Sequence, residues 1–399
     1  MSKHLQRLQQ RLQQDVAPEI CCSETHDSLL LEGTVAAWPQ VVRAGKLAAH
    51  HGYKGVVNHL TVSGLTIPPP HAPQLRDDAL DGIHVDVLII GGGVIGCFVA
   101  RELTRRQLSV LVVDKEDDVA AETSSRNDGM VHPGIEPHPG SNKARFNARG
   151  NAMYDTVAAE LGVPFFRCGT LILYQERWEK VLGPILLARA RQNGVPGVRM
   201  LSKKEALSLE PSMTHDIAGA VLMPTTGLVS PYLLTVACAE NAVQNGARVS
   251  LNTMVTGMSI AGGKITAVTT NRGMVVPDVV VNAAGIYADT VAAMAGDEFF
   301  TIHPRKGEIV IFDRKKGDVI SHVVAEPDIH QTRSDTKGGC ISRTVDGNVL
   351  IGPNAFEQPF REDYSTVREH INQMMRRYLP LVPAIVPSDL ITYFAGTRP

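Results

Sequence analysis

A run over Val85–Ile90, apolar but for Asp86, breaks into Gly91-Gly92-Gly93-Val94-Ile95-Gly96, then into a helix-patterned stretch to Arg106 and a second apolar run, Val110–Val113. No other feature constrains the fold so tightly. Strand, glycine turn, helix and strand within about 30 residues make a βαβ unit, whose strands must run parallel and be covered by helices. Each glycine is needed for a physical reason. Gly91 permits the tight turn, Gly93 lets the backbone approach a diphosphate, and Gly96 lets the helix pack close to the strand. Val94 and Ile95 open the helix, where unpaired N–H groups and a partial positive charge attract phosphates. Asp114 ends the second strand, 18 residues past Gly96, and can accept hydrogen bonds from ribose hydroxyls; Lys115 stands beside it. The pattern predicts a dinucleotide site without choosing between NAD and FAD.

The segment Thr123–Gly134 follows the second strand by ten positions and falls at the carboxyl edge of the sheet, where a dinucleotide must cross. It is dense in small and polar residues. Ser124, Ser125, Arg126 and Asn127 offer hydroxyl, guanidinium and amide donors, Gly129 eases a turn, and His132 adds an imidazole. The plainer reading is a solvated surface loop.

Composition narrows the function classes. The 399 residues are 44% hydrophobic and 20% charged with a formal net charge of −2, so the chain has enough apolar material for two or three domains and no basic footprint for nucleic acid. Six scattered cysteines form no CxxC and no zinc-finger spacing, which predicts no structural metal and a reducing, cytoplasmic setting. The longest apolar stretch, Val87–Ala100, has 14 residues and four glycines, short of the roughly 20 that a spanning helix needs. Peripheral contact with a membrane stays open.

Residues 1–66 read as a small α+β module, with an amphipathic first helix, a strand over 29–35, a helix over 39–52 and a strand over 56–62. Four prolines between Pro68 and Pro73 make 67–82 a stiff, extended linker. Beyond it, strands and helices alternate with an antiparallel-looking portion. The chain therefore reads as α/β, with a Rossmann-like domain over 83–160 and 226–300, a mixed or antiparallel β substrate domain over 161–225 and 301–390, and a return to the first domain at 391–399.

The glycine fingerprint, Ser124–His132, Pro139-Gly140 with Lys143-Ala144, Val280–Gly285, Pro304–Glu308, Gly347–Pro353 and the closing Ala395-Gly396-Thr397-Arg398-Pro399 together resemble the D-amino-acid-oxidase-like superfamily of FAD-dependent oxidoreductases over about residues 83–399. Within it, the chain looks most like the glycerol-3-phosphate dehydrogenase and L-2-hydroxyglutarate oxidase branch, and the N-terminal module looks like a BON-type domain. The resemblance implies FAD as cofactor, with Val255 at the adenine, Ala284 and Gly285 near the phosphates, and Ser125, Arg126, Asn127 and His132 around the isoalloxazine. It also implies continuation past Gly-x-Arg-Pro, so the chain is expected to be truncated after Pro399.

The expected reaction is hydride removal from a carbon bearing a hydroxyl group on a small anionic substrate. Glycerol 3-phosphate is the first expectation; L-2-hydroxyglutarate or an amino acid is the alternative. His132 is the candidate base, because an imidazole titrates near neutrality. Arg305, Lys306 and Arg398 are the candidates for holding the anion, with Arg343 more simply a surface charge. Quinone, oxygen or an iron–sulfur partner remains as electron acceptor. A non-catalytic flavoprotein or assembly subunit is the reading from another class.

Overall fold

The computed structural model describes residues 3–49, 52–327 and 339–399. The central sheet has six strands in the order Arg248–Ser250, Val110–Val113, Ile83–Ile90, Gly273–Asn282, Lys264–Thr270 and Val255–Ala261. The first four pair in parallel and the last two return antiparallel. Both faces of Ile83–Ile90 are covered: Leu88 and Ile90 enter one buried cluster, Val87 and Ile89 another. A strand buried on both sides reads as a continuous apolar run, which Val87–Ile90 displays, whereas the start of the strand alternates, with His84 exposed and Asp86 part exposed. Val94–Thr104 and Pro231–Gln244 pack together on one face.

A nine-stranded mixed sheet carries the second core, from Leu171 and Leu173 through Val310 and Phe312 to Ile351. Its strands come from 170–174, 199–202, 219–223 and from 305 onward, so the chain crosses between the two sheets more than once. The strand Gly273–Asn282 runs through Pro277, which sits in a parallel register beside Val85 without breaking the ladder. A 3-10 turn, Arg177–Val181, runs into the helix Leu182–Gln192.

Residues 3–62 build a separate core. Leu5, Leu8 and Leu12 form the buried stripe of Lys3–Asp15 and meet Leu29, Leu31, Val41 and Ala44. Cys21–Thr25 pairs antiparallel with Ser28–Glu32, which pairs in parallel with Val56–Asn58. The helix expected over 39–52 is Trp38–Ala48, with residues 50 and 51 outside the described residues. This unit docks on 297–303: Thr301 N–H donates to Val56 O (3.0 Å), Asn58 Nδ2 lies 3.1 Å from His303 Nε2, and the Trp38 ring meets His303 edge-on. Among the described residues, no helix is long and apolar enough to cross a membrane.

Candidate cofactor and substrate site

A cleft of ≈ 860 Å³, its solvent-open side included, lies at the carboxyl ends of the parallel strands. Its walls are Gly91 and Gly93, Asp114 and Lys115, Glu122–Ser124, Thr253–Val255 and Ala283–Tyr287. The glycines show why side chains are excluded. Gly91 has φ +113°, and a Cβ there would stand 2.3 Å from Ala283 O; a Cβ on Gly96 would stand 1.9 Å from Gly91 O. Those two serve backbone packing. A Cβ on Gly93 would meet only Ser124 Oγ, at 3.1 Å, and one on Gly285 would meet nothing within 4 Å, so these two leave the cleft floor bare. Gly93 caps Val94–Thr104 without a side-chain bond, and Val94 N–H donates to Ser124 Oγ (2.8 Å). A bare floor at a helix N-terminus fits a dinucleotide diphosphate. The Ile95 side chain points to solvent, 65% exposed, leaving only its backbone for such a role.

Asp114 ties two backbone segments together. Its Oδ2 accepts from Gly92 N–H (2.6 Å) and its Oδ1 from Glu116 N–H (2.9 Å), tying the glycine turn to the second strand. Burial pushes its carboxyl up, while those two N–H groups pull it down. Each oxygen keeps a lone pair for a hydroxyl. Lys115 pairs with Glu116, with Glu122 at 3.5 Å and with Glu362 at 2.9 Å. Burial, with Glu116 and Glu362 adding to it and Lys115 opposing it, lifts Glu122 to about 7. Val255 is buried where its strand begins, and with Ala284 and Gly285 it lines the cleft.

The polar loop divides its residues between cleft and scaffold. Ser124 lines the cleft, whereas Ser125 Oγ donates back to Glu122 O (3.2 Å). Asn127 donates to Thr123 O and Ser124 O and accepts from Gly129 N–H, so its amide builds the loop and keeps one oxygen lone pair for a further partner. Gly129, at φ +67°, leaves no room for a Cβ beside Val229 O. Arg126 donates to Ala121 O and lies 4.1 Å over the Tyr364 ring, with its backbone against Gly396. Thr123 Oγ1 donates to Thr397 O (2.7 Å). These contacts draw the loop onto the strand Leu390–Arg398. His132 follows the short strand Met130–Val131 and stays part exposed, its Nδ1 3.7 Å from Glu136 Oε1.

Leu390–Arg398 pairs antiparallel with Arg305–Phe312, and the register sets Arg305 opposite Arg398. Two like charges face each other across adjacent strands, an arrangement that is unfavourable unless an anion joins them. Burial, then Arg305, lowers the proton affinity of Arg398, opposed by Asp128 and Glu357. Arg398 Nη2 is buried with no hydrogen-bond partner among the described residues. Arg305 Nε lies 3.3 Å from Glu357 Oε1. Lys306 is different. Its side chain is almost fully buried, with the ammonium 2.9 Å from both Asp363 Oδ2 and Ser365 Oγ, which ties it to the scaffold through two of its three donors. Arg343 pairs with exposed Asp318 on the surface.

Sequence reading missed Glu122, Tyr287, Glu357, Glu362 and Tyr364. None belongs to a local motif: Glu362 reaches Tyr287 OH (2.8 Å) from 75 positions away, which no spacing rule announces.

The family model for FAD-dependent oxidoreductases of the DAO type matches residues 86–399. The chain is 37% identical over 318 residues to a glycerol 3-phosphate dehydrogenase from Caloramator mitchellensis, covering 78% of this chain and 64% of that protein's length. It is 32% identical to a glycerol 3-phosphate oxidase from Mycoplasma pneumoniae, covering 79% and 83%. The solved structure of the reduced, FAD-bound L-α-glycerophosphate oxidase from the same organism superposes with a TM-score of 0.73 at 30% identity, covering 79% of this chain and 83% of that one.

Proposed function

The chain belongs to the DAO family of FAD-dependent oxidoreductases, and on that footing we propose that it binds FAD in the cleft and oxidises glycerol 3-phosphate, or a close anionic 2-hydroxy compound, beside the arginine pair. Gly91, Gly93 and the opening of Val94–Thr104 would hold the diphosphate, Asp114 the ribose, Val255 the adenine, and Ala284 and Gly285 the opposite wall. Bound there, FAD supplies the hydride acceptor. The protein's own residues supply the rest. Arg398 and Arg305 neutralise and orient the anionic end, and the guanidinium fork matches phosphate or carboxylate oxygens in pairs. His132 takes the proton from the hydroxyl group, and its part-exposed ring returns that proton to solvent. Arg126, fixed over Tyr364, places positive charge at the loop that meets both sites.

The observation that carries this reading is the unpartnered, buried Nη2 of Arg398 facing a second arginine. Among buried charges, such a group calls for a bound anion. Six free cysteines, with Cys21 exposed, support a reducing cytoplasmic setting. Turnover then ends on a quinone, oxygen or an iron–sulfur partner, and the quinone would add peripheral contact with a membrane. Anaerobic mixing of the FAD-loaded protein with glycerol 3-phosphate, L-2-hydroxyglutarate and a set of amino acids tests the proposal. Bleaching of the flavin absorbance by glycerol 3-phosphate first is the expected result; bleaching by amino acids alone refutes the substrate class.

A further inference from the structure

The proline-rich segment does more than separate two domains. Pro70 lines the cleft beside Asp114, Lys115 and Tyr287, and His71 N–H donates to Glu362 Oε2 (2.9 Å). Glu362 in turn holds Lys115 Nζ (2.9 Å) and Tyr287 OH (2.8 Å), two residues of the cleft wall. The segment is anchored at both ends. Upstream, the N-terminal unit docks through Val56, Asn58 and Trp38 on 299–303. Downstream, Asp77 takes a two-point ion pair from Arg272, at 3.0 Å on each oxygen, and Leu75 O accepts from Asn271 Nδ2 (2.8 Å). Four prolines between those anchors restrict the backbone, so little conformational freedom remains to be lost when the segment lies over the mouth.

We propose that residues 68–73 form a strap across the adenosine end of the cleft, latched by the His71 N–H to Glu362 bond and anchored by the N-terminal unit, and that it governs how fast FAD leaves. This rests on the assignment of FAD to the cleft made above. Asp114 and Val255 mark that end as the ribose and adenine end, and Pro70 is the residue of the linker that reaches it.

Release of FAD from the loaded, full-length chain, followed by the flavin fluorescence regained on dissociation, tests the strap. His71→Pro deletes the N–H donor and keeps an extended backbone; His71→Ala keeps the donor and removes the imidazole. Losing a hydrogen bond to a carboxylate predicts release about tenfold faster from His71→Pro, with His71→Ala at the wild-type rate. Pro70→Gly, which takes the ring off the cleft wall, is expected to speed release as well and decides the matter if His71→Pro does not fold. Unchanged release from His71→Pro and Pro70→Gly overturns the strap alone, as does equal acceleration by His71→Ala and His71→Pro. A wild-type chain that takes up no FAD overturns the cofactor assignment and the strap with it.

Discussion

Replacing Arg398 by methionine separates a binding role from a structural one, because the two predict opposite changes in stability. Across a strand pair, guanidinium groups roughly 7 Å apart repel by about 2–3 kcal/mol at an effective dielectric of 20. Asp128 and Glu357 offset part of this, and burial of the unpartnered Nη2 adds to it. Methionine keeps the length of the stem and removes the charge, so the fold should hold or gain about 1 kcal/mol, a rise of about 1 °C in Tm for a chain of this size. The substrate loses a charge-assisted contact worth about 1.5–3 kcal/mol, which lowers kcat/KM for flavin reduction by about tenfold to a hundredfold. Stopped-flow flavin reduction and a thermal melt of the same preparation measure both. A fall in Tm of several degrees together with loss of FAD would refute the reasoning, since it would mean that the charge holds the scaffold.

The neighbouring residues give further tests. Lys306→Met leaves the part-exposed Asp363 carboxylate without its cation, so it should cost about 1.5–3 kcal/mol of stability with no change in substrate preference, read by denaturant unfolding and a substrate panel. Gly93→Ala should fold, because its Cβ meets only Ser124 Oγ, and should bind FAD at least tenfold more weakly by titration, whereas Gly96→Ala should not accumulate as folded protein. His303 is held down at about 4 by burial first and by Lys46, with Asp289 opposing and Arg361 adding. It is neutral when docked and protonates near 6.5 when released, so its contribution is full above about pH 6.5 and is lost as pH falls toward 4. Allowing for partial solvent contact, about 2 kcal/mol disappears over that window, and His303→Phe should flatten the fall of Tm between pH 7 and pH 4.5.

The βαβ unit was legible because its determinants are local. An apolar run covered on both faces, glycines that a turn and a close packing require, and an acidic residue at the next strand end lie within about 30 residues, and the folded chain adds only the partners, Ala283 O for Gly91 and Gly91 O for Gly96. Arg398, too, stands in a short stretch, Ala395–Pro399, that the family resemblance singles out. What residue order could not supply was pairing over distance. Only the antiparallel register of 305–312 with 390–398 set Arg305 against Arg398, and only packing gave the Lys306 ammonium to Asp363. Asn127 spends both amide N–H groups locally for a like reason, since an amide beside backbone carbonyls bonds to them. The same holds for Pro70, His71 and Glu362, whose meeting at the cleft depends on where the N-terminal unit docks. Local conformational preference is written in neighbouring residues, whereas charge placement in a site is a property of strands brought together from opposite parts of the chain.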